Sequence, residues 1–207
     1  MPTPQVPHLH FAHLAKDKKL QKIMIDHLPP IQPKVNIMLL LMNSIMSQQL
    51  SVKVAEVIYA RFLQLYNGKH PSATQVLSTP TETLRAIGLS NAKVSYVHNV
   101  ARFAETEDLS DEKLHQLSNE EILTYLTQIK GVGQWSVEML LMFHLGREDV
   151  FSLGDYSLQQ AMIKLYKLDP TDKKALKIKL LKLSEKWAPY RSYACRYLWK
   201  WRSAEGK

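Results

Sequence analysis

Between two apolar helical patterns the chain places Lys130-Gly-Val-Gly133, preceded by Leu126-Thr-Gln-Ile129 and followed by Gln134-Trp135. Two glycines one residue apart leave room for little but a tight turn. Glycine has no Cβ, so backbone there can turn sharply and come very close to a ligand. Leu126, Ile129, Val132, Val137 and Leu140 fall at helical spacing and would pack the two helices together. The turn amides around Gly131, Gly133 and Gln134 then face outward, and those of Gly133, Gln134 and Trp135 open the second helix. A helix N-terminus of this kind suits a phosphate. The same string also serves as a plain helix C-cap and αα-hairpin.

The remainder of the chain supports a helical reading. It has seven glycines in 207 residues and almost no period-2 alternation, so an all-α fold is expected. Hydrophobic residues are 45% of it, enough for a packed core. The net charge of +8 favours a polyanionic partner. That charge is concentrated from Lys164 to Lys207, with thirteen Lys/Arg against four Asp/Glu. This segment reads either as an electrostatic footprint or as a solvated lysine-rich face. The one cysteine, Cys195, excludes an intramolecular disulfide, a cysteine-based zinc site and a four-cysteine iron–sulfur cluster. The start of the chain lacks the pattern of a signal peptide, and the apolar run Val35–Met46 is too short to span a bilayer. A soluble intracellular protein is expected, with no membrane partner.

Residue patterns predict an extended, proline-punctuated first dozen residues, with His8, His10 and His13 close together but no acidic or thiolate partner for a metal. Helices are expected over Ala15–His27, Val35–Met46, Val52–Tyr66 with Ser51 as cap, Ser72–Leu77, Thr81–Ala86 and Asn91–Ala104 with Ser90 as cap. Ser118-Asn-Glu-Glu121 is a capping box for a helix ending near Ile129. Further helices are expected over Trp135–Leu145, Asp155–Leu165, Thr171–Trp187 and Tyr190–Trp201. Asp155 would lie in the first turn of its helix, where an aspartate is also an ordinary cap, stabilising by about 1 kcal/mol.

The hairpin string, followed by Asp149-Val-Phe-Ser-Leu-Gly-Asp155-Tyr-Ser-Leu, resembles the helix-hairpin-helix element and aspartate segment of the DNA glycosylase superfamily. Ser44-Ile-Met-Ser-Gln-Gln-Leu-Ser51 is similar to the loop from which 3-methyladenine glycosylases of the AlkA and yeast Mag type push a side chain into the DNA stack. Trp187-Ala-Pro-Tyr-Arg-Ser-Tyr-Ala-Cys-Arg-Tyr-Leu-Trp199 resembles their C-terminal helix. The match spans Val35 to Trp201, with four segments in the right order.

The resemblance implies a compact, two-lobed helical glycosylase fold with a cleft between its subdomains and the hairpin at about residues 118–145. It implies excision of alkylated purines from double-stranded DNA by base flipping, with Asp155 as the catalytic carboxylate. Gln49 would be the wedge, with Gln48 and Leu50 beside it. Trp135, Trp199 and Tyr190 would line the base pocket, and Met139 stands where the bacterial form has a tyrosine. Trp187 and Trp201 are read as core. Gly131, Gly133 and Gln134 would meet a DNA phosphate. The carbonyls of Thr127, Ile129 and Val132 would hold a structural Na⁺ or K⁺, and no other cofactor is required. A monomer is the family expectation.

Lyase-competent relatives carry a lysine where this chain has Trp135, so a monofunctional enzyme is implied. The cysteine cluster of the endonuclease III branch is missing from this sequence, and the compact, all-helical form is expected, without the β-rich N-terminal domain of longer bacterial enzymes. Three other readings are weighed from sequence: a damage-binding protein that has lost catalysis, a glycosylase for a neutral base, for which no general acid is assignable, and a generic basic helical protein, which would leave the matching segments as coincidence.

Overall fold

Serine opens five helices of one part of this molecule and aspartate three of the other. The computed structural model describes residues 9–29 and 36–205. Among these lie thirteen helices and no strand. In chain order they are α1 (Leu9–Leu14), α2 (Lys18–Gln21), α3 (Ile37–Ser47), α4 (Val52–Gln64), α5 (Ala73–Ser78), α6 (Thr81–Ala86) and α7 (Asn91–Thr106). There follow α8 (Asp111–Gln116), α9 (Asn119–Thr127), α10 (Gln134–Phe143), α11 (Tyr156–Tyr166), α12 (Lys173–Glu185) and α13 (Arg191–Glu205). The chain divides into two units: a central one, Pro33–Leu145, and a terminal one, Met1–Gln32 with Gly146–Lys207.

In the central unit Ser51, Ser72, Ser90, Ser110 and Ser118 cap α4, α5, α7, α8 and α9, each accepting the amide three residues on. Such a cap satisfies one of the four N–H groups that a helix start leaves without a partner. Ser72 with Gln75 and Ser118 with Glu121 complete reciprocal capping boxes. The core is built around α3, which buries Ile37, Met38, Leu39, Leu41, Met42, Ile45 and Met46. Its apolar residues run nearly all round, as a helix enclosed by neighbours requires. It packs on α4, α7 and α10, and α7 carries α5 and α6 on its own flank.

The terminal unit joins the two ends of the sequence. Asp17, Asp155 and Asp172 cap α2, α11 and α12. Here the structure corrects the sequence reading. Of the helix expected over Ala15–His27 only Lys18–Gln21 is helical, because Asp17 caps a new start with the amides of Lys19 and Leu20. Leu9–Leu14 is helical rather than extended; His8 and Val35 lie outside the described residues. The other oxygen of Asp17 accepts the Tyr166 hydroxyl at 2.6 Å and the Trp187 indole N–H at 3.2 Å. Four bonds thus converge on one carboxylate, and Trp187 is fully buried, as core. His10 is buried flat against Tyr193, with ring centroids 3.8 Å apart. Further along, the Leu28 amide donates to the Tyr197 hydroxyl. The short helix α8 was not expected; it buries one residue, Leu114, too little pattern to register.

Candidate nucleic-acid interface and carboxylate site

The turn between α9 and α10 has the geometry that its glycines call for. Gly131 has φ of +109°, and a Cβ there would collide with the Tyr96 ring. Only glycine fits both constraints. Gly133 is the N-cap of α10, has open space around it and offers no side chain to cap the helix. Gly133, Gln134 and Trp135 are exposed, whereas Leu126, Ile129, Val132, Val137 and Leu140 are buried between the helices. The hairpin is therefore fixed from beneath by apolar packing and presents its backbone outward. Gln134 is also tied back, donating from Nε2 to Glu138 at 2.8 Å.

The loop after α3 lies against this hairpin. Gln48 donates from Nε2 to the Gly131 carbonyl at 3.4 Å. Lys93 of α7 closes the loop by donating to the carbonyls of Met46 at 2.9 Å and Gln48 at 2.8 Å. Burial holds the Lys93 ammonium below its ordinary pKa. Gln49, directly after these anchors, is exposed and adopts φ of +60°. A left-handed conformation costs a residue with a Cβ about 1–2 kcal/mol, and such strain gathers at functional sites. The three wedge candidates therefore differ: Gln48 is held inward, Leu50 is half-buried and Gln49 projects. On α10, Trp135 and Met139 stand one turn apart on one face, and Trp135 is 44% exposed.

Helix α7 makes the largest contribution that sequence reasoning missed. Lys93 fixes the loop, Tyr96 lies over Gly131, and Asn99 donates to the Lys130 carbonyl at 3.0 Å. These residues recur at intervals of three, one face of a helix. That spacing was visible in the sequence, but nothing in it says which loop they would face.

In the terminal unit, Asp155 is the N-cap of α11 rather than a residue of its first turn. Its Oδ1 accepts the Leu158 amide at 2.6 Å and the Trp199 indole N–H at 3.0 Å. The segment leading to it is pinned along α13. Arg191 grips Asp149 with two bonds, Nε to Oδ1 at 2.7 Å and Nη2 to Oδ2 at 2.9 Å. The fully buried Ser192 donates to the Arg147 carbonyl and accepts the Val150 amide. Cys195 points its thiol at the Val150 carbonyl. Arg191, Ser192, Cys195 and Trp199 thus form one stripe of α13 that holds the Asp155 segment. Of these, sequence reasoning had singled out Trp199 alone.

Tyr190 is placed differently. It packs against His10, His13 and Tyr193. It stands just before α13, and its carbonyl accepts the Ala194 amide at 3.2 Å. Trp199 is the pocket candidate that donates to Asp155. Trp201 is half-buried, with the Lys164 ammonium 5.7 Å from its ring. Among the described residues no three His, Cys, Asp or Glu side chains gather where they could hold a metal. No helix there is long and apolar enough to cross a membrane.

The chain as a whole is similar to known proteins. The chain is 38% identical over 162 residues to DNA-3-methyladenine glycosylase 1 of Schizosaccharomyces pombe, covering 77% of this chain and 70% of that one. The solved structure of an S. pombe 3-methyladenine DNA glycosylase in complex with abasic DNA superposes with a TM-score of 0.80 at 34% identity, covering 92% of this chain and 95% of that one. A DNA-3-methyladenine glycosidase from Bacillus halodurans gives a TM-score of 0.82 at 34% identity, over 97% and 92% of the two chains. Residues 42–187 match the family model described as HhH-GPD superfamily base excision DNA repair protein. With most of its length matched, the hairpin included, the chain belongs to the HhH-GPD superfamily of base excision DNA repair proteins.

Proposed function

We propose that this chain is a DNA-3-methyladenine glycosylase, which hydrolyses the N-glycosidic bond of alkylated purines in duplex DNA. The observation that carries this reading is Asp155, a carboxylate held in place by an indole N–H and a helix amide in a protein of this family. The damaged nucleotide must leave the stack before its bond is accessible, at a cost of a few kcal/mol that is smallest for a poorly paired base. Gln49 fills the gap from its strained loop, with Gln48 and Leu50 shaping the loop beside it. Gly131, Gly133 and Gln134 hold a phosphate of the same duplex through backbone amides.

Trp135, Met139 and Trp199 receive the flipped base. A purine alkylated at N3 or N7 is cationic, so electron-rich indole faces attract it more than they attract a normal base. The same positive charge makes it a good leaving group. Its C1′–N bond breaks with both electrons going to the base, and water supplies hydroxide to C1′ and a proton to solvent. Asp155 stabilises the positive charge that develops on the sugar. No lysine stands on the face of α10 that carries Trp135, so no Schiff base forms and the enzyme is monofunctional.

The reaction calls for no organic cofactor. A Na⁺ or K⁺ ion held by the carbonyls of Thr127, Ile129 and Val132 would be structural. Thr127 ends α9, where last-turn carbonyls lack a helical partner. The Ile129 carbonyl accepts the Val132 amide at 2.9 Å and keeps a second lone pair.

The test is single-turnover excision from duplexes containing 7-methylguanine or 3-methyladenine by the wild type and Asp155→Asn. Base release by the wild type, lost in the variant while binding to abasic duplex persists, supports the reading. If both bind DNA and neither releases a base, the chain is a damage-binding protein instead.

A further inference from the structure

The outer face of α7, beyond the residues that hold the hairpin, carries a groove of about 430 Å³ lined by Asn91, Ser95, His98, Asn99 and Arg102, with Thr81 and Val94. None of these residues is acidic. Asn99 sits at the junction of groove and hairpin. It donates from Nδ2 to the Lys130 carbonyl at 3.0 Å and accepts from Arg102 Nη1 at 3.1 Å. The guanidinium is therefore two hydrogen bonds from the hairpin backbone. It is exposed, and its one bond to Asn99 orients it while leaving its other N–H groups for a ligand. Glu105, one turn along, is engaged by the Thr74 hydroxyl at 2.7 Å. The surrounding unit is not a basic surface. Residues 33–145 hold nine Lys/Arg and ten Asp/Glu, so an oriented arginine beside the hairpin stands out from its background.

We propose that Arg102 is a second phosphate contact, taking the backbone phosphate next to the one held by the hairpin. This rests on the glycosylase reading above. Every nucleotide of a strand carries a phosphate, so a phosphate held at the hairpin has neighbours along the strand for a cation beside the turn. The guanidinium fork matches a phosphate with two parallel bonds, which a lysine would not do. Asn99 is the positioning residue, linking the orientation of the guanidinium to the turn that grips the first phosphate.

The experiment is a binding scan on abasic duplexes, each carrying one uncharged methylphosphonate at a different backbone position, with the wild type, Arg102→Gln and Arg102→Lys. In the wild type, two adjacent positions weaken binding when neutralised. In Arg102→Gln one of those penalties vanishes and the other persists, affinity for the unmodified duplex falls about tenfold, and the slope of log affinity against log salt falls by about 1. Arg102→Lys recovers part of the slope and little of the affinity. If Arg102→Gln keeps both penalties and the wild-type slope, the proposal is wrong and the hairpin reading stands. If no position matters in the wild type, the hairpin reading fails and takes this one with it. Equal melting temperatures show that the variants fold.

Discussion

The two units of this molecule differ in charge and in how their helices begin. The terminal unit holds eighteen Lys/Arg against nine Asp/Glu, net +9, and starts α2, α11 and α12 with aspartates. The central unit has a net charge of −1 and starts five helices with serines. Yet the hairpin, the element best shaped for a phosphate, lies in the near-neutral unit. Backbone amides at a helix start attract an anion without any net charge nearby. On the proposed function, the cationic unit would supply long-range attraction to DNA and so could carry the one carboxylate that reaction uses. The comparison teaches that net charge locates attraction, and that the grip itself comes from backbone geometry.

Several substitutions can break or sharpen this contrast. The largest effect is expected at Asp155. Asp155→Asn retains a good cap, so melting should be nearly unchanged while excision falls by about 10²–10³-fold. Asp155→Ala should lose the same activity and about 1 kcal/mol of stability as well. Equal melting of the two variants would refute the capping role.

In the central unit the corresponding pair is Gly131→Ala and Gly133→Ala. The first places a methyl into the Tyr96 ring at positive φ and should destabilise by about 3 kcal/mol, measured by urea unfolding. The second meets open space, so the fold should lose under about 1 kcal/mol, while affinity for abasic duplex drops because backbone approach is obstructed. Similar stability in both would mean that Tyr96 does not dictate the glycine.

Asp17 gives the pH arm. Burial alone would raise its pKa, but hydrogen bonds from Tyr166, Leu20, Trp187 and Lys19 outweigh it and hold the carboxyl below its ordinary value. A depressed carboxylate stabilises the fold above its unfolded pKa, and that contribution disappears as pH falls through the folded one. Acid titration should therefore weaken the terminal unit below about pH 4. Asp17→Asn should lose about 2 kcal/mol at neutral pH and show a flatter acid limb. One site-specific label in α11 and another in α3 would report the two units separately; coincident acid transitions in the wild type would argue against the contrast.

The smallest effect is at Gln49. Gln49→Gly relieves a left-handed residue and should stabilise by about 0.5–1 kcal/mol, while slowing excision. Unchanged stability would mean that the loop is not strained.

Much of this was legible in the sequence, for identifiable reasons. Ser51, Ser90 and the Ser118 box mark helix starts because capping is local chemistry within three residues. The glycines of the hairpin and the Asp155 segment were legible for the same reason. Asp17 misled because the pattern around it fits a continuous helix, and its partners Tyr166 and Trp187 lie about 150 residues or more away. The support from α7 and the α13 stripe was hidden likewise, since Lys93 meets Gln48 across 45 positions and Trp199 meets Asp155 across 44. Side chains of the right type were visible, but their partners were set by tertiary packing.

Asp155 accepts two donors at one oxygen, the Leu158 amide of the first turn of α11 and the Trp199 indole N–H, and the proposed reaction gives it a second task. A helix start asks for Asp, Asn or Ser regardless of what the protein does. A copy of this fold released from any need to cleave a bond would thus still be pressed by folding to keep a residue of that kind here. An acid at this position is first an architectural mark and only second a sign of activity, whereas an asparagine in its place would preserve the architecture and silence the enzyme.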